Sequence, residues 1–403
     1  MWVAYSLGLM TEEVRTPHTP ALSHLAPLDG LRGMAVLLVM IDHFSFGFLT
    51  RRLGAIGHFL EAGWIGVDLF FVLSGYLITR GLARATDRSV GARLKLFWMR
   101  RVLRIFPLYY IVTLVGAGLC LVYGAHEQMP DWTFWVYLQN YSLALRGGEL
   151  LWMAHFWSLA IEEQFYMLWP LVVLLAPRRA RVGLALGGAA ASFGLRAVLA
   201  LSPGLVLAAL PAEKQELGWV IVGQMLYRMT PTRLDGLLLG ACLAFFENDP
   251  TGVLARAWNR VRVPMLWASG ALLVLLIVWT RGFIADDRRV VLIGYSTCAV
   301  FFASAVSLAS TSSLPRVLMR AFTSRVLSAC GKVSYGMYLF HFPLVFLLSP
   351  RLLPWLEAQS MAVALLAGGG TMLACALVTY GLAVLSFRFV EEPFLGLKSR
   401  FHD

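Results

Sequence analysis

Ten stretches of this chain are apolar over the thickness of a bilayer: residues 33–50, 62–79, 103–123, 152–176, 182–203, 227–246, 263–280, 289–310, 330–349 and 359–386. Backbone in hydrocarbon must satisfy its own N–H and C=O groups, and runs of about twenty apolar residues are the helical way to do so. The sequence therefore predicts an all-α, polytopic membrane bundle of about ten helices. Composition excludes a soluble fold, since 59% of the 403 residues are hydrophobic and only 14% charged. A further stretch, Trp132 to Leu145, is short and mixes aromatic with polar groups. It reads as an interfacial or re-entrant helix, because an extra span would invert every helix after it.

Lys and Arg collect in alternate loops. Arg80, Arg84, Arg88, Arg93, Lys95, Arg100, Arg101 and Arg104 follow the second span, with Arg178, Arg179 and Arg181, then Arg256, Arg260 and Arg262, then Arg316, Arg320 and Arg325 after the fourth, sixth and eighth. With Lys398 and Arg400 they fall on one side of a ten-span chain, which places both termini in the cytoplasm. Arg281, Arg288 and Arg289 are the exception. The expected organisation is a cytoplasmic tail over 1–27, a membrane domain over 28–395 and a second tail over 396–403. This asymmetry accounts for the net charge of +11 without nucleic acid. Cys120, Cys242, Cys298, Cys330 and Cys375 sit in or beside apolar spans with no redox or metal spacing, as packing residues do. Residues Met1 to Met10 lack a basic start and a cleavage site, so no signal peptide is read, and Met10 is an alternative start. No repeat and no additional soluble domain is evident.

Ionisable residues inside the spans carry the functional signal, because each is costly against lipid unless it is paired or lines a wet cavity. Arg32 and His43 are eleven residues apart on the first span and share one helix face, about 16 Å apart along the axis. Asp68 lies on the second span, Glu162, Glu163 and Tyr166 on the fourth, Arg233 and Asp235 on the sixth, and Ser334 and His341 on the ninth. These read as one polar layer built by five helices. Arg233 and Asp235 are two apart and cannot face each other, so each requires a partner on another helix. A single satisfied ion pair could be purely structural, and a lone His is as often a core residue as a catalyst. Five helices converging favour a site.

A neutral imidazole is the natural base for a hydroxyl at physiological pH, and a neighbouring carboxylate would fix its tautomer. His43 is the candidate base, with Asp68 or Glu162 orienting it. Ser74, in Leu-Ser-Gly-Tyr, is a conceivable nucleophile but reads better as a close-packing residue. No metal is expected, since His43, His155 and His341 are scattered without ligand spacing. Arg100, Arg101 and Arg104 enter the third span as a compact cationic face. Positive-inside topology explains most such residues, yet this face also suits a multiply phosphorylated cofactor such as coenzyme A.

Taken in order, several segments carry a likeness running from about Leu28 to Phe394. They are Leu28-Asp29-Gly30-Leu31-Arg32-Gly33 with His43, Gly66-Val-Asp68 to Ser74-Gly75-Tyr76, Arg100-Arg101-Val-Leu-Arg104-Ile-Phe-Pro107, Trp157-Ser158-Leu-Ala-Ile-Glu162, Arg233-Leu-Asp235, Ser334-Tyr335-Gly336-Met-Tyr338-Leu-Phe-His341-Phe-Pro343 and Glu391-Glu392-Pro393-Phe394. Together they resemble the acyltransferase 3 family of integral membrane O-acyltransferases. The resemblance implies transfer of an acyl group, usually acetyl, from cytosolic acyl-CoA to a hydroxyl of a glycan, lipid-linked sugar or small metabolite. It implies a bacterial cytoplasmic-membrane location. It makes Arg32 and His43 essential, Glu162 a site carboxylate, and Arg101 and Arg104 donor contacts. Some members append a soluble esterase-like domain, and none is expected before Asp403.

The resulting expectation is O-acylation by direct transfer, with His43 as general base and Asp68 or Glu162 as its orienting group. Arg100, Arg101, Arg104 and Arg32 would hold acyl-CoA, while Arg233, Asp235, Tyr166, Ser334 and His341 support substrate or structure. Tyr76 or Tyr166 is the candidate oxyanion donor. The rival class is a transporter with a His/Asp/Glu proton relay, which predicts internal repeats with broken helices that the sequence lacks. A lipid-scaffolding role leaves the polar layer unexplained.

Overall fold

A computed structural model describes residues 26–84, 88–146 and 152–397. Most of the two expected tails, with Met10, Lys398 and Arg400, lies outside the described residues. Within them the chain is helical, with no strand. Ten helices correspond to the ten apolar stretches: α1 (Ala26–Phe44), α2 (Ile65–Ala83), α3 (Val90–Val122), α4 (Trp157–Leu175), α5 (Arg178–Leu201), α6 (Leu234–Asn248), α7 (Val253–Thr280), α8 (Tyr295–Ser310), α9 (Ser334–Glu357) and α10 (Met361–Ser386). Eight are long and apolar enough to cross a membrane. The other two are α1, whose nineteen residues include Asp29, Arg32 and Asp42, and α6, which has fifteen. The chain is thus an all-α, multi-pass membrane bundle.

Helix ends depart from the sequence expectation where backbone chemistry intervenes. The first helix is already formed at Ala26, well ahead of residue 33, and stops at Phe44 because Phe46 and Gly47 take positive φ, +52° and +69°. The expected sixth span, 227–246, starts as a helix only at Leu234: its first two residues end a short helix, Trp219–Arg228, and a 3-10 turn at Thr230–Thr232 that contains Pro231 precedes α6. Arg256, Arg260 and Arg262, expected in a loop, lie on the first turns of α7. The stretch from Trp132 to Leu145 forms two short helices, Trp132–Trp135 and Gln139–Leu145, neither long enough to cross a bilayer.

Close backbone packing explains several glycines of the sequence motifs. A Cβ on Gly30 or Gly33 would overlap the carbonyls of Phe322 and Leu327, on the short helices Arg316–Phe322 and Arg325–Lys332 that precede α9. Helices α2 and α6 approach in the same way, with Gly75 against the Leu237 carbonyl and Gly240 against that of Val72. All five cysteines are free and buried, as packing residues. Gly75→Ala and Gly240→Ala should each destabilise the bundle by about 1–3 kcal/mol, since neither backbone can yield without separating the helices. Gly81→Ala, on the same helix α2 but facing open space, should be neutral or mildly stabilising. Thermal unfolding of the detergent-solubilised variants checks this ranking.

Candidate active site

Two cavities lie end to end along the bundle. The first, of about 100 Å³, is lined by Arg32, Ser74, Arg101, Arg104, Glu162, Glu163, Tyr166, Ser334 and Tyr335 among others. The second, of about 320 Å³, is lined by Asp42, His43, Trp64, His155, Trp157, Tyr227, Arg228 and Phe342 among others. Val67 and Tyr338 line both and form the partition. Helices α1 and α9 run from the arginine cavity to the histidine cavity, through Arg32 then His43 and Ser334 then Phe342. Helices α2 and α4 run the other way, with Trp64 and His155 at their entrances and Ser74 and Glu162 further along. Seven helices, α2 to α8, lie between α1 and α9, and the shared sense of these two requires an odd number of crossings there, so the stretch Trp132–Leu145 does not add a span. Instead of one polar layer, the ionisable groups occupy two cavities and a buried ion-pair network.

His43 is not held by a carboxylate. Its Nδ1 lies 2.8 Å from Nε2 of His341, and the two rings stack with centroids 5.0 Å apart. His341 Nδ1 in turn lies 2.7 Å from the Tyr338 carbonyl oxygen. A carbonyl only accepts, so a neutral His341 carries its proton on Nδ1 and presents the Nε2 lone pair to His43. His43 then carries its proton on Nδ1, and its Nε2 lone pair is left without a hydrogen bond among the described residues. A backbone carbonyl and a second imidazole thus fix the tautomer of His43. His155 completes the cluster, its ring 4.9 Å from that of His341 and both its nitrogens buried without partners.

The arginine cavity is organised around Glu162. Ser74 Oγ donates to Glu162 Oε1 at 2.5 Å, and the Tyr166 hydroxyl donates to Ser74 Oγ at 3.0 Å. Arg101 covers the Tyr166 ring, with its guanidinium carbon 5.3 Å from the centroid. Arg32 lies 3.6 Å from Asp29, one turn back on α1. Ser334 Oγ donates to the Gly331 carbonyl at 2.9 Å at the start of α9. The cationic face differs from the expected one in membership: Arg101 and Arg104, three residues apart, line the cavity and Arg100 does not. Glu163, one residue and about 100° on from Glu162 around the helix, lines it as well. Tyr76 is outside both cavities and donates to Glu247 at 2.6 Å, which removes it as an oxyanion donor.

Asp68, expected beside His43, pairs with Arg233 at 2.8 Å. Asp235 pairs with Arg196 of α5 at 2.9 Å and accepts from Ser296 at 2.6 Å. Arg196 also donates to the carbonyls of Val291 and Thr232, at 2.9 and 2.5 Å. The Arg233 guanidinium is enclosed by Tyr295, Tyr227, Phe71 and Trp157, with its carbon 4.0 Å from the Tyr295 centroid. These four charges face neither cavity; they bolt α2, α5, α6 and α8 together. Sequence reasoning found Arg233 and Asp235 and the need for partners on other helices, but not Arg196. An arginine in the middle of the apolar run 182–203 was the available signal. It also passed over Asp42 and Arg228, and gave Tyr338 no role of its own. No group of three or more His, Cys, Asp or Glu among the described residues is placed to hold a metal ion.

Known proteins resemble this chain over most of its length. A family model for acyltransferase domains, Acyl_transf_3, matches residues 25–381. The chain is 27% identical over 386 residues to the peptidoglycan O-acetyltransferase OatA of Listeria monocytogenes, covering 92% of this chain and 56% of that protein. It is 28% identical to the putative peptidoglycan O-acetyltransferase YrhL of Bacillus subtilis, covering 92% and 55%, and 27% identical to a putative O-acetyltransferase of Staphylococcus aureus, covering 93% and 58%. The chain therefore spans just over half the length of these curated relatives. No solved structure matches it.

Removing one member of a buried ion pair leaves an uncompensated charge, whereas replacing both by apolar groups does not. Asp68→Ala should therefore cost about 3–5 kcal/mol of folded stability. The double variant Asp68→Leu with Arg233→Met should recover most of that loss. Thermal unfolding of the single and double variants in one detergent checks the sign of the coupling.

Proposed function

The chain belongs to the acyltransferase 3 family, and from that premise we propose that it is a membrane O-acetyltransferase. It would move acetyl from cytosolic acyl-CoA to a hydroxyl of an envelope glycan. The observation that carries the reading is the pair of cavities meeting at Val67 and Tyr338, one bearing three arginines and the other His43. Positive-inside topology supports an arginine cavity at the cytoplasmic end and both termini in the cytoplasm, with 28–395 as the membrane domain, and the bacterial relatives support the bacterial cytoplasmic membrane.

Arg32, Arg101 and Arg104 suit the phosphates and amides of acyl-CoA. The pantetheine arm would thread the cavity past these arginines, with the nucleotide resting at the mouth. The thioester then reaches the partition. On the far side the acceptor hydroxyl gives its proton to His43 Nε2, the oxygen attacks the thioester carbonyl, and the departing thiolate takes the proton from His43. The acetyl ester and free CoA are the products. His341 and the Tyr338 carbonyl hold His43 in the base tautomer and stabilise its imidazolium. Glu162, bonded to Ser74, positions the donor arm. Relatives named as peptidoglycan O-acetyltransferases support a glycan acceptor.

His43→Ala should abolish acetyl transfer in proteoliposomes while leaving CoA affinity and folding intact. His43→Gln, which keeps a polar group but cannot accept the proton, should be nearly as inactive. Arg101→Ala with Arg104→Ala should weaken CoA binding about tenfold or more and flatten its salt dependence. Isothermal titration with CoA and a radiolabelled acetyl-transfer assay read the two effects separately. Substantial transfer by folded His43→Ala protein would end this mechanism.

A further inference from the structure

The histidine cavity contains one Arg or Lys side chain, that of Arg228. It ends the short helix Trp219–Arg228, just before the proline-containing turn that leads to α6. Its position is fixed from two sides. The Arg228 carbonyl accepts from Asn140 Nδ2 at 3.1 Å, and Asn140 is itself tied to Gln164 and Thr230. One guanidinium nitrogen donates to the Leu143 carbonyl at 2.8 Å. Its Nε is buried without a partner, and Arg228 forms no ion pair among the described residues. A guanidinium held in place with donors to spare is a preorganised anion receptor.

The surroundings indicate what kind of anion. Trp64, Trp157 and Tyr227 line the same cavity as aromatic walls, while Asp42 and His43, on α1, add acceptors for hydroxyls. We propose that Arg228 anchors the acceptor by an anionic substituent, a carboxylate or phosphate carried on a sugar whose ring lies against these aromatic walls. Anchoring at Arg228 would leave the sugar's free hydroxyls to meet Asp42 and His43. This inference rests on the transferase reading for its purpose, but the binding preference it predicts does not.

The test uses the full chain in nanodiscs and three probes: neutral N-acetylglucosamine, N-acetylmuramic acid and N-acetylglucosamine 1-phosphate. The wild type should bind at least one of the anionic sugars about tenfold or more tightly than the neutral one, as charge-assisted hydrogen bonds imply. Whichever of the two is preferred identifies the anion. The preference should shrink with added salt, disappear in Arg228→Gln, persist in part in Arg228→Lys and survive in His43→Ala. A purely structural Arg228, capping the Leu143 carbonyl, would lower thermal stability in Arg228→Gln yet leave the ratio of affinities unchanged. Equal wild-type affinity for all three probes, or a preference retained in Arg228→Gln, overturns the proposal. Absence of acetyl transfer to every probe, with the binding preference present, would instead count against the transferase reading and leave the anion site standing.

Discussion

Four charged side chains almost without access to water, Arg196, Asp235, Arg233 and Asp68, hold the centre of this bundle. An ion in a low-dielectric interior needs compensation: Arg196 finds it in Asp235, backbone carbonyls and Ser296, and Arg233, whose Nε and Nη1 have no hydrogen-bond partner, finds it in Asp68 and the faces of four aromatic rings. Because the partners come from different helices, no helix of the group can rotate or slide without breaking an ion pair. The aromatic residues that surround Arg233 include Trp157 and Tyr227, which also wall the histidine cavity. The network thus sets the shape of a cavity it does not enter.

Much of the architecture was legible because lipid simplifies the rules. Apolar length alone located all ten helices, and mixed polarity marked Trp132–Leu145 as something other than a span. The ends were harder. Positive φ at Phe46 and Gly47, or a break around Pro231, depends on local backbone geometry that hydropathy does not encode. The candidate site was legible as a set of residues and not as a set of partners. His43, His341, Glu162, Arg101 and Arg104 were all singled out, yet the sequence paired His43 with a carboxylate because carboxylates are its commonest orienting groups. The structure pairs it with His341, 298 residues away. No periodicity on one helix carries that information, since it depends on the relative rotation of α1 and α9.

Asp68 illustrates the opposite error. An acidic residue on α2, one helix from His43, invited a catalytic reading, and its true partner was a residue the sequence had already shown to need one. Requiring that Arg233 and Asp235 be satisfied before assigning roles to other charges would have claimed Asp68 for Arg233. Arg100 and Arg101 differ for a simpler reason: adjacent helical residues are about 100° apart, and only one of them turns towards the cavity.

The partition made by Val67 and Tyr338 has an electrical consequence. Where two wet vestibules approach from opposite faces, the membrane potential falls mainly across the thin layer between them. Moving one elementary charge through that layer costs or yields about 2.3 kcal/mol per 100 mV. In the proposed orientation an acetyl group passes outward and a proton returns in exchange for it, so no net charge crosses, while the phosphates of the donor and any anion on the acceptor stay in their own vestibules. Such a transfer would be blind to the voltage of the cell.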